Sequence, residues 1–102
     1  MNPSHPVDLI AVIPCREGRG AEVLGLLREY AVHVNADPGC DRFEVYVDRD
    51  DSDRIVVLER YRDDAGFAAH IADPANAELN ARLASLTQGG SQLQFLVGDQ
   101  VG

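Results

Sequence analysis

This chain of 102 residues contains no lysine and no tryptophan, and it has only two cysteines and one methionine. Its nine basic residues are all arginines, set against 17 carboxylates, and the formal net charge is -8. Phosphate recognition needs a cationic stripe, so this balance excludes a nucleic-acid partner. The lack of lysine by itself excludes no other function. Long apolar runs are missing too. The stretch from Leu9 to Ile13 is too short for a membrane span, and Met1 to Pro6 has no basic leader segment, so the expected setting is the cytoplasm with no membrane partner. Cys15 and Cys40 form no C-x-x-C and have no histidine beside them, as expected of reduced intracellular thiols. No repeat, low-complexity tract or linker divides the chain. Residues 1–102 therefore read as one domain with a core over about 7–98. At 45% hydrophobic and 25% charged residues, the rest of the composition is that of an ordinary globular fold.

The hydropathy pattern predicts a series of alternating elements. Val7 to Pro14 is nearly all apolar, as in a strand buried on both faces, and Pro14 ends it. From Glu17 or Arg19 the period becomes helical, with Val23, Leu24, Leu27, Tyr30, Ala31 and Val34 on one side, until Asp37-Pro38-Gly39 stops it. Phe43, Val45 and Val47 alternate with polar neighbours, an acidic loop is expected over Asp48 to Asp53, and Ile55 to Tyr61 forms the second arm of a hairpin. Asp63 is placed to cap a short helix through Phe67, His70 and Ile71. Asp73-Pro74 opens another through Leu79, Leu83 and Leu86. Gln88-Gly89-Gly90 breaks it, and Leu93, Phe95 and Val97 suggest a last strand.

This order, β-α-β-β-α(α)-β, is the ferredoxin-like α+β plan, an antiparallel sheet with its helices on one face. Ile55 and Val57 point one way and Val56 and Leu58 the other, so the sheet face without helices is also apolar. A second copy covering that face is the expected solution, giving a homodimer packed sheet against sheet.

Several familiar site patterns fail on detail. Asp48-x-Asp50-x-Ser52 with Glu59 at position twelve imitates a calcium loop, but Asp53 stands where the sharp turn needs glycine. A strand over 55–61 would also carry Glu59 roughly 15–20 Å away from the loop. His5, His33 and His70 have no metal-ligand spacing, no G-x-S-x-G elbow exists, and Gly18-Arg19-Gly20 lacks the third glycine of a phosphate loop. No bound metal or nucleotide cofactor is therefore indicated. Glu59 is different, because it shares one strand face with Ile55, Val57 and Tyr61. A carboxylate among such neighbours must be paired, protonated or functional. With His70 on the helix that follows, it could orient an imidazole as general base. The alternative is that Glu59 caps a helix or pairs with an arginine and His70 is a half-exposed helix residue.

The segment Pro38-Gly39-Cys40-Asp41-Arg42-Phe43-Glu44, the strand end Leu58-Glu59-Arg60-Tyr61 and the nine-residue step from Tyr61 to His70 resemble the antibiotic-biosynthesis-monooxygenase family over nearly the whole chain, Leu9 to Leu96. The resemblance implies a dimeric α+β barrel that uses O₂ with no metal, flavin or haem cofactor. It also implies a pocket lined by Glu59, Tyr61, Phe67 and His70 for a small quinol, phenol or polycyclic enolic substrate. In that picture His70 takes the substrate proton, Glu59 sets its tautomer, and Tyr61 and Arg60 stabilise the bound substrate. The haem-degrading branch of the superfamily uses a tryptophan that this chain lacks, with Leu79 at the matching point. Glu59 to His70, and Leu83-Ala84-Ser85-Leu86, are also similar to a branch that isomerises a phosphorylated keto sugar. A non-catalytic ligand-binding dimer is the third reading.

Overall fold

The computed structural model describes residues 5–98. Its elements are β1 (Val7–Pro14), α1 (Gly20–Asn35), β2 (Cys40–Asp48), β3 (Asp51–Tyr61), α2 (Asp64–Ala72), α3 (Pro74–Leu83) and β4 (Gln92–Leu96). They form one antiparallel sheet in the order β2-β3-β1-β4, with the helices over one face, which is the ferredoxin-like α+β fold.

Strand alternation decides what each face carries. Leu9, Ala11 and Ile13 of β1 stand opposite Glu59, Val57 and Ile55 of β3, and all six are buried beneath the helices. Phe43 of β2 joins this face opposite Glu59. Helix α1 covers it with Val23, Leu27, Tyr30 and Val34, which recur at three- and four-residue spacing and are all buried. Burying each aliphatic side chain here contributes about 1.5–3 kcal/mol, so this layer supplies most of the driving force for folding. Intervening residues point to the other face. Ile10, Val12, Val56 and Leu58 are half-buried there, and Tyr46 and Leu96 are exposed.

The caps predicted at Asp63 and Asp73 are present. Asp63 accepts a hydrogen bond from the Gly66 amide at 2.8 Å, and Asp73 from the Ala75 amide at 2.9 Å, with Pro74 opening α3. Helix α1 has no such cap in its own sequence. Its N-terminus is held by Asp53 of β3, whose carboxylate accepts from the Gly18 and Gly20 amides at 2.9 Å each. Gly20 is required there, because a Cβ would stand 1.9 Å from the Ser52 carbonyl oxygen.

Three boundaries differ from expectation. The hairpin connection is a tight turn at Arg49 and Asp50, not an acidic loop, and β3 begins at Asp51. Side-chain oxygens of Asp48 and Asp51 accept from the amides two residues on, at 2.8 and 2.9 Å, which lets aspartates build the turn. Helix α3 ends at Leu83, and Leu86 lies in the following turn, where Thr87 bonds back to the Leu83 carbonyl at 2.8 Å. Strand β4 stops at Leu96, before Val97.

Candidate active site

A cavity of about 480 Å³ lies between the helix-covered face of the sheet and helices α1, α2 and α3. Its floor is Leu9, Ala11, Ile13 and Val57, and Leu27, Phe67, Leu79 and Leu83 add apolar walls. Polar groups enter at a few points only: Glu59 from β3, His70 from α2, Tyr30 from α1, Asn76 and Asn80 from α3, and Ser91 before β4. That proportion suits a mostly apolar small molecule oriented by a few polar contacts.

Glu59 reaches this cavity because it is an odd-numbered residue of β3, in register with Leu9 and Phe43. It is 8% exposed, and its Oε1 accepts a hydrogen bond from the Tyr61 hydroxyl at 2.5 Å. Desolvation outweighs that hydrogen bond and pushes its pKa up to about 7. The carboxyl therefore changes protonation state near neutral pH. The Tyr61 hydroxyl is pushed well above the ordinary tyrosine range by its own burial and the nearby carboxylate, so it remains the donor.

The entry into α2 sets where His70 stands. The Arg62 amide donates to the Gly39 carbonyl at 2.9 Å, and a Cβ on Gly66 would lie 2.9 Å from that same oxygen. The first turn of α2 can lie this close to the start of β2 only with glycine at 66. One turn on, the His70 ring packs against Tyr61 with centroids 4.7 Å apart, and against Phe67 at 6.3 Å. It is 9% exposed, and its Nδ1 lies 3.5 Å from the Tyr30 hydroxyl. Burial lowers the His70 pKa, against the opposing pull of Asp73 and Asp37, which keeps the ring neutral and able to accept a proton at pH 7.

Of the residues singled out from the sequence, Glu59, Phe67 and His70 line this cavity. Two expected roles change. Arg60 points to the opposite face of the sheet, where its Nε and Nη2 donate to Asp8 at 2.7 and 3.1 Å. It follows Glu59 directly in a strand, so the two side chains must diverge. Arg60 is thus no part of the cavity. Tyr61 lies behind the cavity, nearly fully buried, as the partner of Glu59. Glu59 accepts its hydrogen bond from the Tyr61 hydroxyl, and the neighbour of His70 Nδ1 is the Tyr30 hydroxyl at 3.5 Å, so no Glu59–His70 hydrogen bond is present among the described residues. Tyr30, Asn76 and Asn80 were not foreseen. Tyr30 reads as an ordinary core position of α1, and the two asparagines, four residues apart on α3, are half-buried and exposed, so neither stands out as a polar residue among apolar ones.

Residues 6–82 match the model of the antibiotic biosynthesis monooxygenase family. The chain belongs to this family. Curated proteins include no match to its sequence. Among solved structures, the same fold recurs in Rv0793 from Mycobacterium tuberculosis at 23% identity and a TM-score of 0.85, with 95% of this chain and 98% of the other covered. PA3566 from Pseudomonas aeruginosa is 26% identical with a TM-score of 0.85, over 94% and 96% of the two chains. A protein described as an antibiotic biosynthesis monooxygenase is 20% identical with a TM-score of 0.83, over 91% and 98%. No helix among the described residues is long and apolar enough to cross a membrane. Nor do three His, Cys, Asp or Glu side chains cluster there as metal ligands would.

Proposed function

We propose that this family member is a cytoplasmic, homodimeric monooxygenase that oxidises a small quinol, phenol or enolic polycyclic aromatic with O₂ and no bound cofactor. The observation that carries the reading is that a neutral, buried His70 and a titrating Glu59 both line one apolar cavity of about 480 Å³. A flat ring fits against the aliphatic sheet floor, with its acidic O–H or C–H turned to the imidazole. His70 takes that proton, and the electron-rich anion reacts with O₂. For a ring methylene flanked by aromatic rings, the carbanion adds O₂ to give a hydroperoxide. Loss of water then leaves a ketone, so CH₂ plus O₂ becomes C=O plus H₂O. The His70 imidazolium returns the proton that lets water leave, so the ring ends neutral as it began.

Burial in the apolar lining raises the cost of any unpaired charge, and the described lining holds no arginine. This favours an uncharged aromatic over a phosphorylated keto sugar. Assembly follows from the other face, where Ile10, Val12, Val56 and Leu58 form an apolar centre flanked by Tyr46 and Leu96, a surface that suits a second copy of the chain. Oxygen uptake with a panel of quinols and anthrones, compared between the wild type and His70→Ala, tests the activity. Uptake is expected with the wild type and should fall by roughly 10²–10⁴-fold without the imidazole. Equal rates in the two proteins would remove His70 from the chemistry.

A further inference from the structure

The Tyr30 hydroxyl lies between two groups from different helices. His70 Nδ1 is 3.5 Å from it, and Asn76 Oδ1 is 3.4 Å away on α3. A hydroxyl has a single proton to give, so only one of these neighbours can receive it. The amide of Asn76 decides which. Its Nδ2 faces the Ile71 carbonyl at 3.5 Å, which turns Oδ1, an acceptor with no proton of its own, toward Tyr30. The Tyr30 proton therefore goes to Asn76, and its oxygen lone pair is left for a proton carried on His70 Nδ1. Burial, with Asp73 and Glu59 nearby, pushes the Tyr30 pKa well up, so the hydroxyl keeps its proton through the working range.

We infer that Tyr30 and Asn76 are positioning residues that hold His70 as the Nδ1–H tautomer, with its other ring nitrogen, Nε2, presented to the cavity as the base. An isolated neutral imidazole favours the opposite tautomer, protonated on Nε2, so the relay must change the chemical state of the ring as well as its orientation. The Ile71 carbonyl accepts from Asn76, Asn76 from Tyr30, and Tyr30 from His70. The inference rests on the proposed role of His70 as base, but its central observable does not depend on turnover.

Long-range ¹H–¹⁵N NMR of the uniformly ¹⁵N-labelled protein, above the pH at which His70 titrates, reads the tautomer directly. The wild type should show His70 protonated on Nδ1. Tyr30→Phe removes the acceptor and should return the ring to the Nε2–H form. Asn76→Leu should give the same result by another route, because a Tyr30 hydroxyl with no acceptor on α3 is free to donate to Nδ1. Both variants should lower kcat for a quinol by roughly 10- to 100-fold while KM changes little, as expected for a base displaced from its reacting state. An Nε2–H tautomer in the wild type would overturn the relay even if neither variant folds. Retention of the Nδ1–H form in both folded variants would do the same. A wild-type Nδ1–H tautomer without oxygen uptake on any quinol would support the relay and refute the proposed activity. Uptake with an Nε2–H wild type would do the reverse.

Discussion

Replacing Glu59 with glutamine should change how stability depends on pH, in a direction fixed by the burial of the carboxyl. The folded-state pKa of about 7 lies above the ordinary value of 4.5, so between those limits the folded protein holds a proton that the unfolded chain has released. Stability falls with rising pH wherever the native state binds more protons. The favourable contribution of the protonated carboxyl is thus complete below about pH 4.5 and is lost as pH rises through about 7. At ~1.4 kcal/mol per pH interval, the wild type loses about 3 kcal/mol across this window relative to a variant that cannot ionise. Glutamine keeps the shape and an acceptor for the Tyr61 hydroxyl, so Glu59→Gln should lack this loss and gain on the wild type between pH 5 and pH 8. For a domain of this length the gain corresponds to a melting-temperature difference of roughly 10–20 °C. The other carboxylates with shifted pKa values, Asp8, Asp53 and Asp73, are all lowered and titrate below the window. Urea denaturation of both proteins at a series of pH values, at fixed protein concentration and ionic strength, measures the difference. Parallel stability–pH curves would refute a buried, largely desolvated Glu59.

Gly20→Ala should destabilise the fold by about 1–3 kcal/mol, since backbone meets the new methyl at 1.9 Å, whereas Gly25→Ala in the same helix meets nothing within 4 Å and should stabilise by about 0.5–1 kcal/mol. Thermal denaturation of the two variants checks the contrast, and equal shifts would contradict the close approach of Ser52. Val56→Glu places a charge in the centre of the open sheet face, opposite Val12 and Tyr46, and should convert a homodimer to monomer in sedimentation velocity without unfolding it. A wild type that is monomeric at high concentration would show that this face has no second copy.

The 3.6-residue period located α1, and apolar, β-branched runs located β1 and β3, because those residues are the ones that fill the inner face of the sheet. Asp63 and Asp73 were legible as caps because a cap bonds to its own neighbours in sequence. The hairpin was misjudged because a run of aspartates reads as loop, while in the fold their carboxylates accept local amides and allow the ladder to continue. Glu59 stood out by alternation alone. The same alternation separates Arg60 from it, and the family motif, which spans both residues without regard to face, placed Arg60 in the pocket. Tyr30 and Asn76 could not be read in this way, since their meeting with His70 depends on how three helices pack together.

The alternation along β3 also divides what can be altered independently. Val57, Glu59 and Tyr61 belong to the cavity side, and Val56, Leu58 and Arg60 to the exposed side. The proposed ligand preference and the proposed self-association would thereby be encoded in interleaved positions of one strand, so either could drift by substitution while the other is conserved. A one-residue insertion or deletion in β3 is another matter. It would exchange the two sets, driving Arg60 into the cavity and carrying Glu59 out to solvent, and would remove the proposed chemistry and the proposed assembly in a single step.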